Sequence, residues 1–195
     1  FSNDFKLKKD LDLLVSQSNR CSEILKKLSL NPKISDEFLN IDLNLEEYIY
    51  EIVRSFQEIS NKKFEISVEN LTNKIKIRKS TEIIYGLRNF IGNANKFSKN
   101  KIIITLSNTD NTTSIKILDD GNGFPKDLIK KDMLGEPYIR TLENTNLQKQ
   151  GLGLGTFIGK TLLEKNSASV NFKNSEKTGG GEVTIQWNNK DLKKI

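Results

Sequence analysis

The chain has 195 residues, 35% of them apolar and 29% charged, with Lys+Arg 31 against Asp+Glu 25 for a net charge of +6. The charges are scattered and of mixed sign and aromatics are only 8%, which argues for a solvated surface suited to anionic ligands and against a nucleic-acid groove with stacking side chains. A single cysteine and no histidine exclude an internal disulfide framework, a His/Cys metal site and any mechanism using a histidine base from this chain.

Residues 3–30 read as one long helix. Leu7, Leu11, Leu14, Ser18, Cys21, Leu25 and Leu28 follow the alternating 4, 3 spacing of a heptad seam. So narrow a stripe calls for a partner helix, from upstream chain or from a second copy; the plainer alternative is an amphipathic helix lying on the domain. Cys21 on that seam is either a small apolar filler or a redox-sensitive thiol near a two-fold axis. Asn31-Pro32 ends the helix. No apolar run is long enough to span a bilayer. The chain starts at Phe1 without a signal-like segment, and is read as a piece of something longer.

After the break "SLNPKISDEFL" the pattern becomes mixed. "FLNIDLNL" alternates weakly, as a short strand would, and "NLEEYIYEIVRSFQEIS" has helical spacing. "KFEISVEN" and "NKIKIRK" alternate as strands around a turn at 70–73. Residues 80–98 form a helix opened by Ser80 or Thr81. "KIIITLSN" and "TSIKILDD" make a hairpin, "GLGLGTFIGKTLLEKN" is a glycine loop running into a helix, and "ASVNFKNSE" with "VTIQW" closes the chain as a second hairpin. The class is α+β: a two-layer sandwich of a mixed sheet with helices on one face, preceded by a long helix. The division expected is 1–34 for that helix and 35–195 for the domain. Residues 124–150 resist assignment, and so long a connection inside a compact domain is a working loop or a disordered one.

Three stretches carry chemistry. In "NFIGNANKFS", Asn89, Asn93 and Lys96 fall within about 60° on one helical face, opposite Leu87, Ile91 and Ala94. An amide oxygen is a hard ligand suited to Mg²⁺ and Lys96 is a counter-charge for phosphate; a solvent-exposed polar stripe is the plainer alternative. In "ILDDGNGF", a carboxylate at the end of an apolar strand can accept from an exocyclic amine, while the glycines let the backbone approach a flat base; a simple turn is the alternative. In "GLGLGTF", glycine-rich backbone opening a helix offers free N–H groups to a phosphate; a hinge is the alternative. That segment is neither a Walker loop nor, lacking a preceding strand, a dinucleotide fingerprint.

In this order the three stretches resemble the N, G1 and G2 boxes of sensor histidine kinase ATP-binding domains, within the gyrase/chaperone/kinase/MutL ATPase superfamily. "TGGGEVTIQW" is similar to the glycine segment that closes those domains. The N-terminal "DLDLLVSQSNRCSEILKKLS" looks like the second helix of a dimerisation and phosphotransfer hairpin, and with "LGEPYIR" and the G2 segment it resembles RegB/PrrB-type redox-responsive kinases.

The resemblance implies that Asn93 holds Mg²⁺, with Asn89 beside it and Lys96 and Phe97 on the phosphate and sugar side of ATP. Asp119 would accept from the adenine amine, with Gly121 and Gly123 shaping that wall. Gly151, Leu152, Gly153, Leu154, Gly155 and Thr156 would line the phosphates. Residues 124–150 would be the lid, from which Tyr138, Arg140 or Lys149 would reach the γ-phosphate. The superfamily's hydrolytic branch carries a glutamate at the position of Asn89, and an amide is no general base. ATP held here would therefore be kept for transfer. The acceptor histidine is missing, which implies upstream truncation or loss. Implied further are a homodimer through the hairpin, a response-regulator partner, no nucleic acid, a cytoplasmic location, and membrane attachment only through a sensor module outside this fragment. A related ATPase clamp and a nucleotide-free scaffold remain the alternative readings.

Overall fold

The computed structural model describes residues 15, 44–69, 80–136 and 154–192. The chain divides into two compact units, 1–40 and 41–195, and all that follows concerns the second. The expected N-terminal helix with Cys21, the strand at 73–79 with its preceding turn, and most of "FLNIDLNL" lie outside the described residues.

Helix α1 spans Leu45–Gln57. Asn44 closes its N-terminus through a reciprocal capping box: Asn44 Oδ1 accepts from the Glu47 N–H at 3.0 Å, and Glu47 Oε2 accepts from the Asn44 N–H at 2.9 Å. Such a cap satisfies two orphan donors and contributes about 1 kcal/mol. Strand β1 is Lys63–Glu69. Helix α2, Thr81–Phe97, starts at Ser80, whose hydroxyl accepts from the Ile83 N–H. Strands β2 (Lys101–Asn108) and β3 (Thr112–Asp119) form the expected hairpin. A short helix α3 (Lys126–Lys130) opens the segment that sequence periodicity left unassigned. Helix α4 is Leu154–Lys165; strands β4 (Ala168–Asn174) and β5 (Gly181–Asn188) follow, and α5 (Asn189–Leu192) ends the described chain.

The sheet order is β1-β2-β3-β5-β4. The three pairings that involve β3, β4 and β5 are antiparallel, and only β1 with β2 is parallel. Parallel neighbours need a long crossover, and α2 lies within that connection. The sheet is therefore mixed, and the fold is the α+β class expected.

Alternation along the strands assigns the two faces. Ile102, Ile104 and Leu106 of β2, Ile115 and Ile117 of β3, and Ile185 and Trp187 of β5 are all nearly inaccessible. They meet Leu87, Phe90, Ile91 and Ala94 of α2 and Leu163 of α4, also buried. Each such side chain withdrawn from water contributes roughly 1.5–3 kcal/mol before entropy is counted. The other face is polar. Lys63 and Lys101 flank Glu65 at 2.9 and 2.7 Å, and Ser67–Thr105 and Ser107–Ser114 pair their hydroxyls across strands.

Helices α2 and α4 approach each other through glycines. A β-carbon on Gly86 would sit 2.5 Å from Leu163 Cγ, and one on Gly159 would sit 3.1 Å from the Phe90 ring. Gly86→Val is expected to destabilise the domain by about 1–3 kcal/mol through overpacking, read as a lower urea midpoint at unchanged slope; an unaltered midpoint would contradict this packing. Among the described residues no helix is long and apolar enough to cross a membrane.

Candidate functional site

The polar stripe of α2 faces away from the sheet, as its spacing implies, yet it does not lie open to solvent. Asn89 and Asn93 are half-buried beneath the N-terminal turn of α4. A β-carbon on Gly155 would stand 3.5 Å from Asn89 Oδ1 and 3.5 Å from Asn93 Oδ1. Asn93 Nδ2 donates to Thr156 Oγ1 at 3.3 Å, and Asn89 Nδ2 donates to the Tyr85 carbonyl at 2.8 Å. In both side chains the amide nitrogen is engaged, which points the oxygens toward the start of α4. Lys96 and Phe97, a turn further on, are exposed, with the ammonium 5.1 Å from the Phe97 ring centroid.

The end of α2 is itself fixed. Lys62 Nζ donates to the carbonyl of Asn95 and, at 2.6 Å, to that of Ser98, satisfying C-terminal acceptors of the helix with a cation. Ser60 Oγ donates to Asn95 Oδ1 at 2.7 Å. These contacts place Phe97 against the turn that leaves β3, so closely that a β-carbon on Gly121 would fall 2.4 Å from the Phe97 carbonyl oxygen.

The resemblance picks out Asp119 rather than Asp120, and the two carboxylates have different surroundings. Asp120 ties the end of β3 to the turn between α2 and β2, accepting from Lys99 N–H at 2.8 Å and from Asn100 N–H at 3.1 Å. Partial burial pushes its pKa up, but the backbone N–H groups of Asn100, Lys101, Lys99 and Asp120 itself outweigh that and hold it below the ordinary value. A lowered folded-state pKa stabilises the fold above the unfolded value of about 3.9 and ceases to do so as pH falls through the folded value. Acidification is therefore expected to cost the unaltered domain more stability than it costs Asp120→Asn in parallel urea titrations. Identical acid slopes would contradict this role.

Asp119 sits in a cradle of glycines. Its Oδ1 accepts from Gly121 N–H at 2.8 Å and from Gly181 N–H at 3.2 Å, while Thr178 Oγ1 donates to its carbonyl at 2.6 Å. A β-carbon on Gly180 would lie 2.2 Å from the Asp119 carbonyl oxygen, and one on Gly181 would lie 2.8 Å from Oδ2. Oδ1 is held by the backbone, and among the described residues Oδ2 takes no hydrogen bond. Thr178, Gly180 and Gly181 were not singled out by spacing. The only signal was the glycine run after "EKT", whose partner is 59 residues away for Thr178.

The helical-face trio, the strand-end aspartate with Gly121 and Gly123, and the first turn of α4 (Leu154, Gly155, Thr156) thus surround one region. Gly151, Leu152 and Gly153 of the glycine loop, and Tyr138, Arg140 and Lys149 of the expected lid, lie outside the described residues. Among the described residues no group of three or more His, Cys, Asp or Glu could hold a metal. The Asn89 and Asn93 amide oxygens, near the start of α4, are of the kind that a hard cation takes.

Residues 78–191 match the family described as "Histidine kinase-, DNA gyrase B-, and HSP90-like ATPase". The chain is 30% identical over 177 residues to the sensor histidine kinase RegB of Cereibacter sphaeroides, covering 87% of this chain and 37% of that protein. The chain therefore spans little more than a third of that relative's length. Among solved structures, the mycobacterial sensor histidine kinase MprB superposes with a TM-score of 0.62 at 19% identity, over 75% of this chain and 96% of that one. Full-length ShkA, solved in complex with AMPPNP, superposes with a TM-score of 0.58 at 22% identity, over 75% of this chain and 30% of that one.

Proposed function

The chain belongs to the family of histidine kinase-, DNA gyrase B- and HSP90-like ATPases, as the ATP-binding catalytic domain of a sensor histidine kinase, and we propose that it holds Mg-ATP in the cleft between α2, the β3 turn and α4. The observation that carries this reading is the posture of Asp119. Two backbone N–H groups hold Oδ1, glycines clear the space above it, and Oδ2 is left to receive the 6-amino group of adenine.

The residues fit the nucleotide from base to tail. Gly121, Gly123 and Phe97 flank the base and sugar. Lys96 supplies positive charge to the phosphates, and the first turn of α4, with Leu154, Gly155 and Thr156, presents its N-terminus to them. Gly151, Leu152 and Gly153 extend that phosphate-binding backbone, and Tyr138, Arg140 or Lys149 of the lid reaches the γ-phosphate. Asn93 Oδ1 would hold Mg²⁺, with Asn89 Oδ1 beside it. A cation held there would neutralise charge on the polyphosphate, including the charge that develops on ADP as it departs.

Asn89 determines the fate of the bound ATP. Its nitrogen is committed to the Tyr85 carbonyl, and an amide cannot take a proton from water. The γ-phosphoryl is kept for an imidazole nitrogen: the P–O bond to departing ADP breaks, a P–N bond forms, and the imidazole proton leaves to solvent. With no histidine in this sequence, the acceptor belongs to another polypeptide segment. The whole protein is a RegB-type kinase that dimerises through a helical hairpin including residues 1–34, works with a response regulator, and joins this cytoplasmic domain, residues 35–195, to a sensor module.

Calorimetry and phosphate release test the reading together. The chain is expected to bind a non-hydrolysable ATP analogue with Mg²⁺ in the micromolar range, about 8 kcal/mol, and to release almost no phosphate from ATP at steady state. Sustained turnover would indicate an ATPase clamp, and absence of binding a scaffold.

A further inference from the structure

Asn174, the last residue of β4, grips the turn that leaves β3 with both ends of its carboxamide. Oδ1 accepts from the Phe124 N–H at 2.6 Å and Nδ2 donates to the Phe124 carbonyl at 2.9 Å. These are the two bonds that a neighbouring strand makes to one residue, supplied here by a side chain to a residue beyond the strand end. Gly123, just before, has φ +74, and a β-carbon there would lie 2.6 Å from Asn174 Oδ1. The amide thus fills the space that any side chain at 123 would need. Two residues earlier on β4, Phe172 meets the Phe124 ring edge-on with centroids 5.8 Å apart, and meets Phe90 of α2 at 5.8 Å.

The Gly121–Phe124 turn is therefore anchored twice. Its near end is held by Asp119 Oδ1, its far end by Asn174. The hairpin that begins directly after Asn174 returns Thr178, Gly180 and Gly181 to Asp119. One strand end sets both the glycine wall and the segment that folds over the carboxylate.

We infer that Asn174 is a positioning residue for the purine site. Acting through the Gly121–Phe124 turn, it fixes the separation between the glycine wall and Asp119, and so determines how strictly the site demands a 6-amino purine. The inference rests on the nucleotide reading above. Guanine places a carbonyl oxygen where adenine has its amine, so a carboxylate held at fixed range repels it, and a wall free to drift lets the base slide away from that clash.

Calorimetry of the full chain with ADP and with GDP, each with Mg²⁺, tests this in Asn174→Ala and Asn174→Asp. Loss of two hydrogen bonds to the turn in the alanine variant is expected to lower the preference for ADP over GDP about tenfold. The aspartate variant keeps the acceptor for Phe124 N–H and loses the donor, so it is expected to fall between, and it reads the effect if the alanine variant fails to fold. Competition by inorganic tripolyphosphate is expected to be unchanged. An unaltered ADP preference in both variants would overturn the inference, as would equal weakening of ADP, GDP and tripolyphosphate, the mark of a merely structural role. If Asp119→Asn abolishes ADP binding while Asn174 variants keep the preference, the purine site stands and only the clamp falls. If Asp119→Asn leaves ADP binding intact, the nucleotide reading has failed instead.

Discussion

Asp119→Asn is expected to weaken ATP-analogue binding at least about a hundredfold while leaving the fold intact. The substitution is nearly isosteric. The new amide keeps an oxygen to accept from Gly121 and Gly181, so the backbone contacts that hold the side chain survive. What changes is the free end. On the proposed reading, the oxygen that would accept from the adenine amine becomes an NH₂ group that would confront it, so a charge-assisted hydrogen bond of roughly 1.5–3 kcal/mol would be lost and two donors would face each other. Calorimetry with the non-hydrolysable analogue and Mg²⁺ reads the effect, and a melting curve separates it from unfolding. Equal affinity for both proteins would mean that Asp119 does not read the base.

Asn93→Ala is expected to remove the Mg²⁺ dependence of that binding. On the proposed reading, nucleotide affinity of the unaltered chain should rise at least about tenfold when Mg²⁺ replaces a chelator, because the Asn93 amide oxygen would bind the cation together with the phosphates. The alanine variant should bind equally well, or equally poorly, with and without the cation. Stability should change little, since Asn93 is half-buried and its side-chain bond among the described residues, to Thr156, spans 3.3 Å. Full retention of the Mg²⁺ effect would place the metal elsewhere.

Elements governed by local periodicity were legible without coordinates. The stripe of Leu87, Ile91 and Ala94, the Ser80 cap and the alternation of β2 and β3 each depend on neighbours a few residues away, and all appear where spacing puts them. The residue types in "ILDDGNGF" offer two adjacent carboxylates, and it is the resemblance to the G1 box that points to Asp119. The burial of Asn89 and Asn93 could not be read from spacing, because the cover comes from Gly155, more than sixty positions on. The same holds for Asn174 on Phe124, at a separation of 50. Such contacts are set by strand order, and β4 reaches the β3 turn only because β5 inserts between them antiparallel to both. Adjacent aspartates are a further limit of reading by position. Neighbouring strand-end residues point to opposite sides, and the structure shows Asp120 taken up by the Lys99 and Asn100 N–H groups while Asp119 faces the glycines. The short α3 helix, five residues long, is below the length at which a hydrophobic period can be seen.

A crystal structure of the chain with an ATP analogue and Mg²⁺ tests the central claim most directly. The account predicts the adenine amine within hydrogen-bond range of Asp119 Oδ2, under Gly180 and Gly181, and the phosphates between Asn93 and the first turn of α4. A base bound away from residue 119, or that region closed by side chains with nucleotide excluded, would contradict it.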